Sequence, residues 1–234
     1  MRDPLPGAVG VSKLSVYDTA TPDGLPGGTP HLHLCCSEAY VVTAGAGQVQ
    51  TLSGQDGFQE HDLKPGAVLW FTPGTIHRLI NRGGLEITVL MSNTGLPEAG
   101  DAVLTFPLDI VRDPDRYAEA VALPNGGAPG TDITSAYRRR DLAVQGFHEL
   151  REHGTLDEFY AAAMRLKQPL LDGWRERWER GARRAAESTG RQIDALAGND
   201  PSHLRESRVS GKPGPDEEGR LGMCGLLDTY RYDP

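Results

Sequence analysis

Cysteine is scarce in this chain: three in 234 residues, two of them adjacent at Cys35 and Cys36 and the third far away at Cys224. No disulfide framework can be built from that set, which fits a reducing compartment. Long apolar runs are also missing, so nothing offers the ~18 consecutive apolar residues that a bilayer-spanning helix needs. The opening residues, MRDPLPGAVG, lack the basic region and apolar stretch of a secretory leader. A cytoplasmic location with no membrane partner is the expectation. Positive charge is in deficit as well: 24 Lys and Arg stand against 32 Asp and Glu, a net charge of −8. That balance argues against nucleic acid as a partner.

What the chain does have is punctuation. Gly (29) and Pro (17) are both plentiful, while apolar residues at 38% and charged residues at 24% are ordinary for a folded protein, so many tight turns are implied. The length suits one large domain, or one mid-sized domain with a sizeable appendage. From about residue 11 to 92 short β-like runs (KLSVYD, AYVVTAG, GQVQTLS, AVLWF, IHRLIN, LEITVLMS) alternate with turn signals at 22–28, 45–47, 54–57, 64–66, 72–74 and 82–84. A spacing of about 8–12 residues predicts an all-β sandwich or barrel. After residue 95 the grammar changes. A mixed connector (95–114) and a Gly/Pro-rich loop (123–132) lead into helical patterns over 138–152, with Gly154 as a stop, and over 155–168, opened by the capping-box pattern Thr155-Leu-Asp-Glu158. Pro169 interrupts the pattern, and a third helical stretch over 170–196 carries Trp174 and Trp178 at i, i+4, a spacing that suits packing on the barrel or a partner subunit. The residues after about 199 read as an extended arm with an apolar patch at 223–227.

The chemistry concentrates in His31-Leu-His33-Leu-Cys-Cys-Ser-Glu38. Residues i and i+2 of a strand point to one face, so His31 and His33 can place both imidazoles in one cavity. Glu38 breaks that parity: direct continuation of the strand would send it outward, whereas a hairpin turn across 34–37 would return it to the same interior on the neighbouring strand. A third histidine, His77, follows the tight Pro73-Gly74 turn. Three imidazoles and one carboxylate converging inside a barrel make a mixed N/O site for a divalent first-row metal. By the same parity Tyr40 and Val42, which follow Glu38, and Leu79 and Asn81, which follow His77, are expected to line the cavity. Tyr40 is the candidate proton donor or substrate anchor, and Arg78 is expected to face outward and serve an interface or a surface salt bridge. Cys35 and Cys36 read as turn or core residues, and His61, His148, His153 and His203 have no partner at ligand spacing.

These residues resemble the cupin superfamily, whose two motifs are G(X)5HXH(X)3,4E(X)6G and G(X)5PXG(X)2H(X)3N. The first is met from His31 through Glu38 to Gly45, with its leading glycine displaced from position 25 to Gly24; the second is met at Gly66, Gly74, His77 and Asn81, with Thr72 in place of the proline and Pro73 one position later. The resemblance spans roughly residues 10–95. It implies a single jelly-roll-type β-barrel; together with the helical patterns read above, the expected division is barrel and metal site (1–95), connector and loop (96–136), α-helical extension (137–198) and extended arm (199–234). It also implies that His31, His33, Glu38 and His77 hold one divalent transition metal, iron first and Mn, Ni, Zn, Cu or Co as other choices.

Similarity to cupin dioxygenases with three His and one Glu implies a mononuclear iron-type oxygenase acting on a small organic substrate, with Glu38 and Tyr40 as the candidate catalytic side chains. The presence of Glu38 counts against the thiol dioxygenases, which have only the three histidines. A non-redox isomerase or decarboxylase, in which Glu38 and Tyr40 move protons, is the other enzymatic reading, and a binding cupin without turnover is the third. A helix-turn-helix fusion is disfavoured because the basic runs at 138–140 and 183–184 are interleaved with carboxylates. The helical half is expected to cover a barrel mouth or build a homodimer.

Overall fold

The computed structural model describes residues 5–231; the first four and last three residues, included in the expected barrel and arm, lie outside the described residues. Two sixteen-residue strands, β3 (Glu38–Ser53) and β6 (Ile76–Met91), pair antiparallel along almost their whole length and form the frame. β3 carries three Val, two Thr and a Tyr, and β6 three Ile, a Val and a Thr, residues that suit a pleated surface. The ladder is irregular between Val42 and Gly47, and such bulges bend a strand and raise its twist. The bend lets one pair of strands serve both halves of a barrel. One half of the frame is flanked by β5 (Val68–Phe71) and β1 (Gly10–Val16), the other by β4 (Gly57–Leu63) and the short β2 (His31–His33), which in turn pairs with β7 (Ala102–Leu104). Between the halves lies a core in which Leu14 and Val16 of β1 pack with Tyr40, Val42 and Val49 of β3 and with Leu79 and Ile87 of β6.

The arm expected after residue 199 is folded back. After the short α7 (Ser202–Arg205), β8 (Glu217–Leu221) and β9 (Gly225–Thr229) form a hairpin whose second strand pairs antiparallel with β1, Leu227 standing opposite Leu14. The apolar patch at 223–227 explains the docking: Met223 and Leu227 pack against the barrel core and Cys224 is buried within it. At Gly28 a Cβ would lie 2.7 Å from the Cα of Cys224, so the two backbones approach as closely as they do only because Gly28 has no side chain.

Helical structure begins earlier than the pattern suggested, with α1 (Leu108–Val111) and α2 (Pro114–Val121) inside the connector. The signal at α2 is Asp113-Pro114: the carboxylate accepts from the backbone N–H groups of Asp115 and Arg116, and Pro114 sits where no N–H is needed. Asp132 caps α3 (Ile133–His153) in the same way, and Gly154 ends it in the left-handed conformation. The capping-box residue Thr155 makes no side-chain cap bond to α4 (Leu156–Lys167). Pro169 lies in a 3-10 turn that separates α4 from α5 (Leu171–Trp178), and a π-helical segment joins α5 to α6 (Arg184–Ala197).

The first four helices pack on the outer face of the β2–β7 half. Leu32, Leu52, Ile76, Val103 and Phe106 meet Phe147 and Leu150 of α3 and Phe159 of α4 in one buried cluster. Leu32 points into this layer while its neighbours His31 and His33 point the other way, so all three residues of β2 are buried. The approach of α3 depends on Gly146, where a Cβ would stand 2.2 Å from the Thr105 carbonyl oxygen. Trp174 of α5 is buried with Cys36 and Leu96 and donates its indole N–H to the Ala99 carbonyl at 3.0 Å, so it packs on one end of the barrel.

The expectation that Arg78 faces outward is right in direction but wrong in environment. The side chain leaves the barrel interior and is nonetheless fully buried. The segment over 19–27 crosses that face, and Asp23 forms an ion pair with Arg78 at 2.6 Å while Thr21 accepts from its guanidinium at 2.8 Å. Arg140 of α3, equally buried, clamps the same segment by donating to the carbonyls of Thr19, Ala20 and Gly27.

Candidate metal centre

His31, His33, Glu38 and His77 come together as the spacing predicted. One ligand-capable atom from each lies within 4.8 Å of all the others, and all four residues are buried. β2 supplies two imidazoles from one face, β3 begins with Glu38, and His77 stands directly opposite His31 across the β2–β6 pair.

Each imidazole is anchored through Nδ1. His31 Nδ1 donates to the Thr29 carbonyl (2.9 Å), His77 Nδ1 to the Thr75 carbonyl (3.1 Å), and His33 Nδ1 faces Asp101 Oδ2 at 3.2 Å. A carbonyl can only accept, so Nδ1 of His31 and of His77 donates, which leaves Nε2 of each as the ring nitrogen available to a metal. Asp101 is fully buried and also accepts the backbone N–H groups of Cys35 (2.8 Å) and Cys36 (3.2 Å), so one carboxylate holds both the turn after β2 and the orientation of His33. The Phe71 ring stacks on His77 with centroids 4.7 Å apart and planes within 1° of parallel, which fixes that ring from its face.

The opposite side of the set is unsatisfied. His77 Nε2 and Glu38 Oε2 lie 2.9 Å apart, yet both are buried without a hydrogen-bond partner. Buried polar atoms left without a partner are costly. A cation between them, held at the usual ~2.0–2.2 Å from nitrogen and oxygen donors, would satisfy both, and the existing spread is within an ångström of what such an ion spans. The donor set therefore fits a divalent transition metal, with one formal negative charge and three neutral nitrogens.

Without a metal the four groups hold protons unequally, and His33 must release one before its Nε2 can bind an ion. Burial, reinforced by the neighbouring His77 and His33, holds His31 well below its ordinary pKa, so it stays neutral. Burial likewise opposes charging His33, but Asp101 and Glu38 outweigh it and lift that imidazole to about 9. Burial disfavours the Glu38 carboxylate, and the adjacent His77 and His33 overrule it, holding Glu38 well below the usual carboxylate range.

The site opens into a cavity of about 670 Å³. Its inner wall is Leu14, Tyr40, Val89, Met91, Met223 and Cys224, and its outer end carries Glu98, Arg177, Glu217, Arg220 and Arg231. Tyr40 lines it as expected, fully buried, its hydroxyl without a partner. Burial, with the Glu38 charge beside it, pushes the phenol well above its ordinary pKa. Val42, Leu79 and Asn81 do not line it. Val42 and Leu79 point inward but sit in the packed core, and Asn81 donates to the Val16 carbonyl while accepting from the N–H groups of Gly83 and Leu85, which closes the turn in β6. Parity gives the face of a strand, whereas depth along it decides between cavity and core. Cys35 is exposed and Cys36 buried, and burial raises both thiols.

Sequence reasoning missed Asp101, Phe71 and Cys224. Phe71 had a weak signal, since β5 ends on the Pro-Gly turn that delivers His77; Asp101 and Cys224 had none, lying 68 and 191 positions beyond His33.

Residues 21–93 match the family model described as a cupin domain. Among solved structures the chain is similar to an oxalate oxidase (18% identity, 36% of this chain and 40% of that one, TM-score 0.30). It is also similar to a capsular polysaccharide assembling protein from Staphylococcus aureus (19%, 39% and 25%, TM-score 0.28) and to a TDP-quinovose 3,4-ketoisomerase from Campylobacter jejuni (16%, 34% and 60%, TM-score 0.29). Each match spans less than two thirds of the other chain. Comparison with curated proteins found no match.

Proposed function

We propose that the cupin domain formed by residues 21–93 makes this chain a metal-dependent enzyme, a mononuclear iron-type oxygenase acting on a small organic substrate held in the 670 Å³ cavity. One observation carries the reading: three imidazoles fixed through Nδ1, with His77 Nε2 and Glu38 Oε2 left orphaned at the inner end of a cavity large enough for a substrate. His31, His33, Glu38 and His77 would hold the metal, which when bound supplies Lewis acidity and, if redox-active, electron transfer to dioxygen.

The remaining roles belong to the chain. Leu14, Val89, Met91 and Met223 keep the inner cavity apolar and exclude water from the reacting atoms. The unpartnered Tyr40 hydroxyl donates to a substrate oxygen and so orients it. No carboxylate or imidazole other than the four candidate ligands lines the inner wall among the described residues. Isomerisation or decarboxylation by proton transfer needs an acid or base within hydrogen-bond reach; Tyr40 is the side chain of this wall that could supply it, and substrate-dependent oxygen uptake separates the two chemistries.

The test is metal analysis by plasma mass spectrometry of protein grown with balanced Fe, Mn, Co, Ni, Cu and Zn, beside His77→Ala. The expected result is about one equivalent of a redox metal in the wild type and its loss in the variant, followed by substrate-dependent oxygen uptake. A folded wild-type protein that takes up no metal would overturn the proposal.

A further inference from the structure

The C-terminal hairpin lies some 190 residues from the histidine pair in sequence, yet its residues Glu217, Arg220, Met223, Cys224, Leu227, Thr229, Tyr230 and Arg231 all line the cavity. It is a fixed wall. Tyr17 and Arg139 donate to the Gly222 carbonyl (3.1 and 2.8 Å), Thr29 donates to the Met223 carbonyl through Oγ1 (2.6 Å), and the Tyr17 N–H donates to the Cys224 carbonyl (3.1 Å). A wall held this firmly presents its side chains at set positions.

The charges at the outer end of the cavity run against those of the whole molecule. The chain carries −8 overall, but three arginines (Arg177, Arg220, Arg231) meet only two carboxylates (Glu98, Glu217) at this end. Glu217 lies between Arg220 (3.1 Å) and Arg231 (3.0 Å), so one carboxylate serves two guanidinium groups. Glu98 accepts the Gly95 N–H at 2.8 Å, and Arg177 has no ion-pair partner among the described residues. A divalent ion on Glu38 would add a further net positive charge at the inner end. A cavity charged in this way draws anions towards it and repels cations.

We propose that the substrate is a small organic anion, a carboxylate or phosphate, whose charge is met at the outer end of the cavity by Arg177 of α5 and by Arg220 and Arg231 around Glu217. The proposal names the substrate class of the enzyme inferred above and rests on that reading. It makes the C-terminal hairpin and α5 the elements that select the substrate, while the barrel supplies the chemistry.

The test uses ligand-observed NMR at low salt on full-length zinc-loaded protein. Three anions, succinate, benzoate and inorganic phosphate, are compared with the neutral succinamide and benzamide, for wild type, Arg177→Gln, Arg220→Gln and His77→Ala. At least one anion is expected to bind about fivefold more tightly than the amides, the order of one exposed charge contact, and Arg177→Gln is expected to abolish that preference while leaving zinc content and circular dichroism unchanged. Arg220→Gln is the second probe, read only with wild-type circular dichroism. Equal binding of anions and amides, an anion preference untouched by Arg177→Gln, or binding of none of the three anions would each overturn the proposal. Zinc bound without anion preference sinks the substrate class and leaves the metal centre standing. Failure of the wild type to take up zinc, with the Arg177-dependent anion preference intact, sinks the metal centre and leaves the anion site.

Discussion

Replacing Asp101 by Asn isolates one atom's role in the candidate metal centre. In the native arrangement Oδ1 receives the Cys35 N–H, while Oδ2 receives the Cys36 N–H and faces His33 Nδ1. If the amide oxygen of the variant stays on Cys35, its NH₂ confronts two donors, the Cys36 N–H and the His33 Nδ1–H. His33 relieves the clash by moving its proton to Nε2, and that protonated nitrogen can no longer bind a metal. Loss of the partner that orients a metal-binding histidine costs about 10–100-fold in affinity, ~1.4–2.7 kcal/mol. Competition against a chromophoric zinc chelator at neutral pH measures it, with circular dichroism to confirm the fold. The alternative amide orientation keeps an acceptor on His33 but leaves the part-buried Cys35 N–H facing a donor, at a stability cost of about 1 kcal/mol, the low end for an unmade bond because solvent is near. An Asp101→Asn protein that melts lower yet binds zinc within about threefold of wild type would refute the orienting role.

Tyr40→Phe removes a buried hydroxyl that has no protein partner, so the metal-free variant is expected to gain about 1 kcal/mol in urea denaturation and the metal-loaded variant to lose the proposed substrate-dependent oxygen uptake; a loss of stability would reveal an existing partner. Arg78→Met strands the Asp23 carboxylate against a buried face, and a cost of about 3 kcal/mol is expected, at the low end for a broken buried pair because Asp23 keeps some contact with water. Burial alone would raise the Asp23 pKa, but hydrogen bonds from Arg78, Thr21 and His148 hold it well below the ordinary value. A depressed carboxylate stabilises the fold fully above its unfolded pKa of ~3.9 and loses that contribution as pH falls through the folded value. Melting temperatures measured below about pH 4 should therefore fall more steeply in wild type than in Asp23→Asn. Gly146→Ala places a Cβ 2.2 Å from the Thr105 carbonyl oxygen, and overpacking of ~1–3 kcal/mol should exceed the ~1 kcal/mol gained in helix propensity; a variant more stable than wild type by thermal melting would contradict the packing described for α3.

The readable part of the site is the part built from local geometry. His31 and His33 share a face because a strand has a period of two, and Glu38 returns to that face through a short turn, so a window of eight residues holds three of the four ligand candidates. The turn at Gly74 announces His77. Helix ends were legible where a side chain caps its own backbone, but Asp113 and Asp132 were passed over, and Thr155 matched a pattern its side chain does not use. Arg78 shows where such reasoning stops: parity sends it out of the barrel, and only the packing of 19–27 and α3 makes that exterior a buried one.

Taken alone, the amino-acid order determined the β-barrel, the break in grammar after residue 95 and the four residues that could bind a metal, because each depends on periodicity and turns within a few residues. The tertiary structure alone decided that Asp101 orients His33, that Val42 and Leu79 belong to the core, that the chain's end pairs with its first strand, and that Arg177, Arg220 and Arg231 gather at the cavity. These are contacts between segments tens to hundreds of positions apart. No local pattern encodes them; they follow from which surfaces remain to be buried once the barrel has formed.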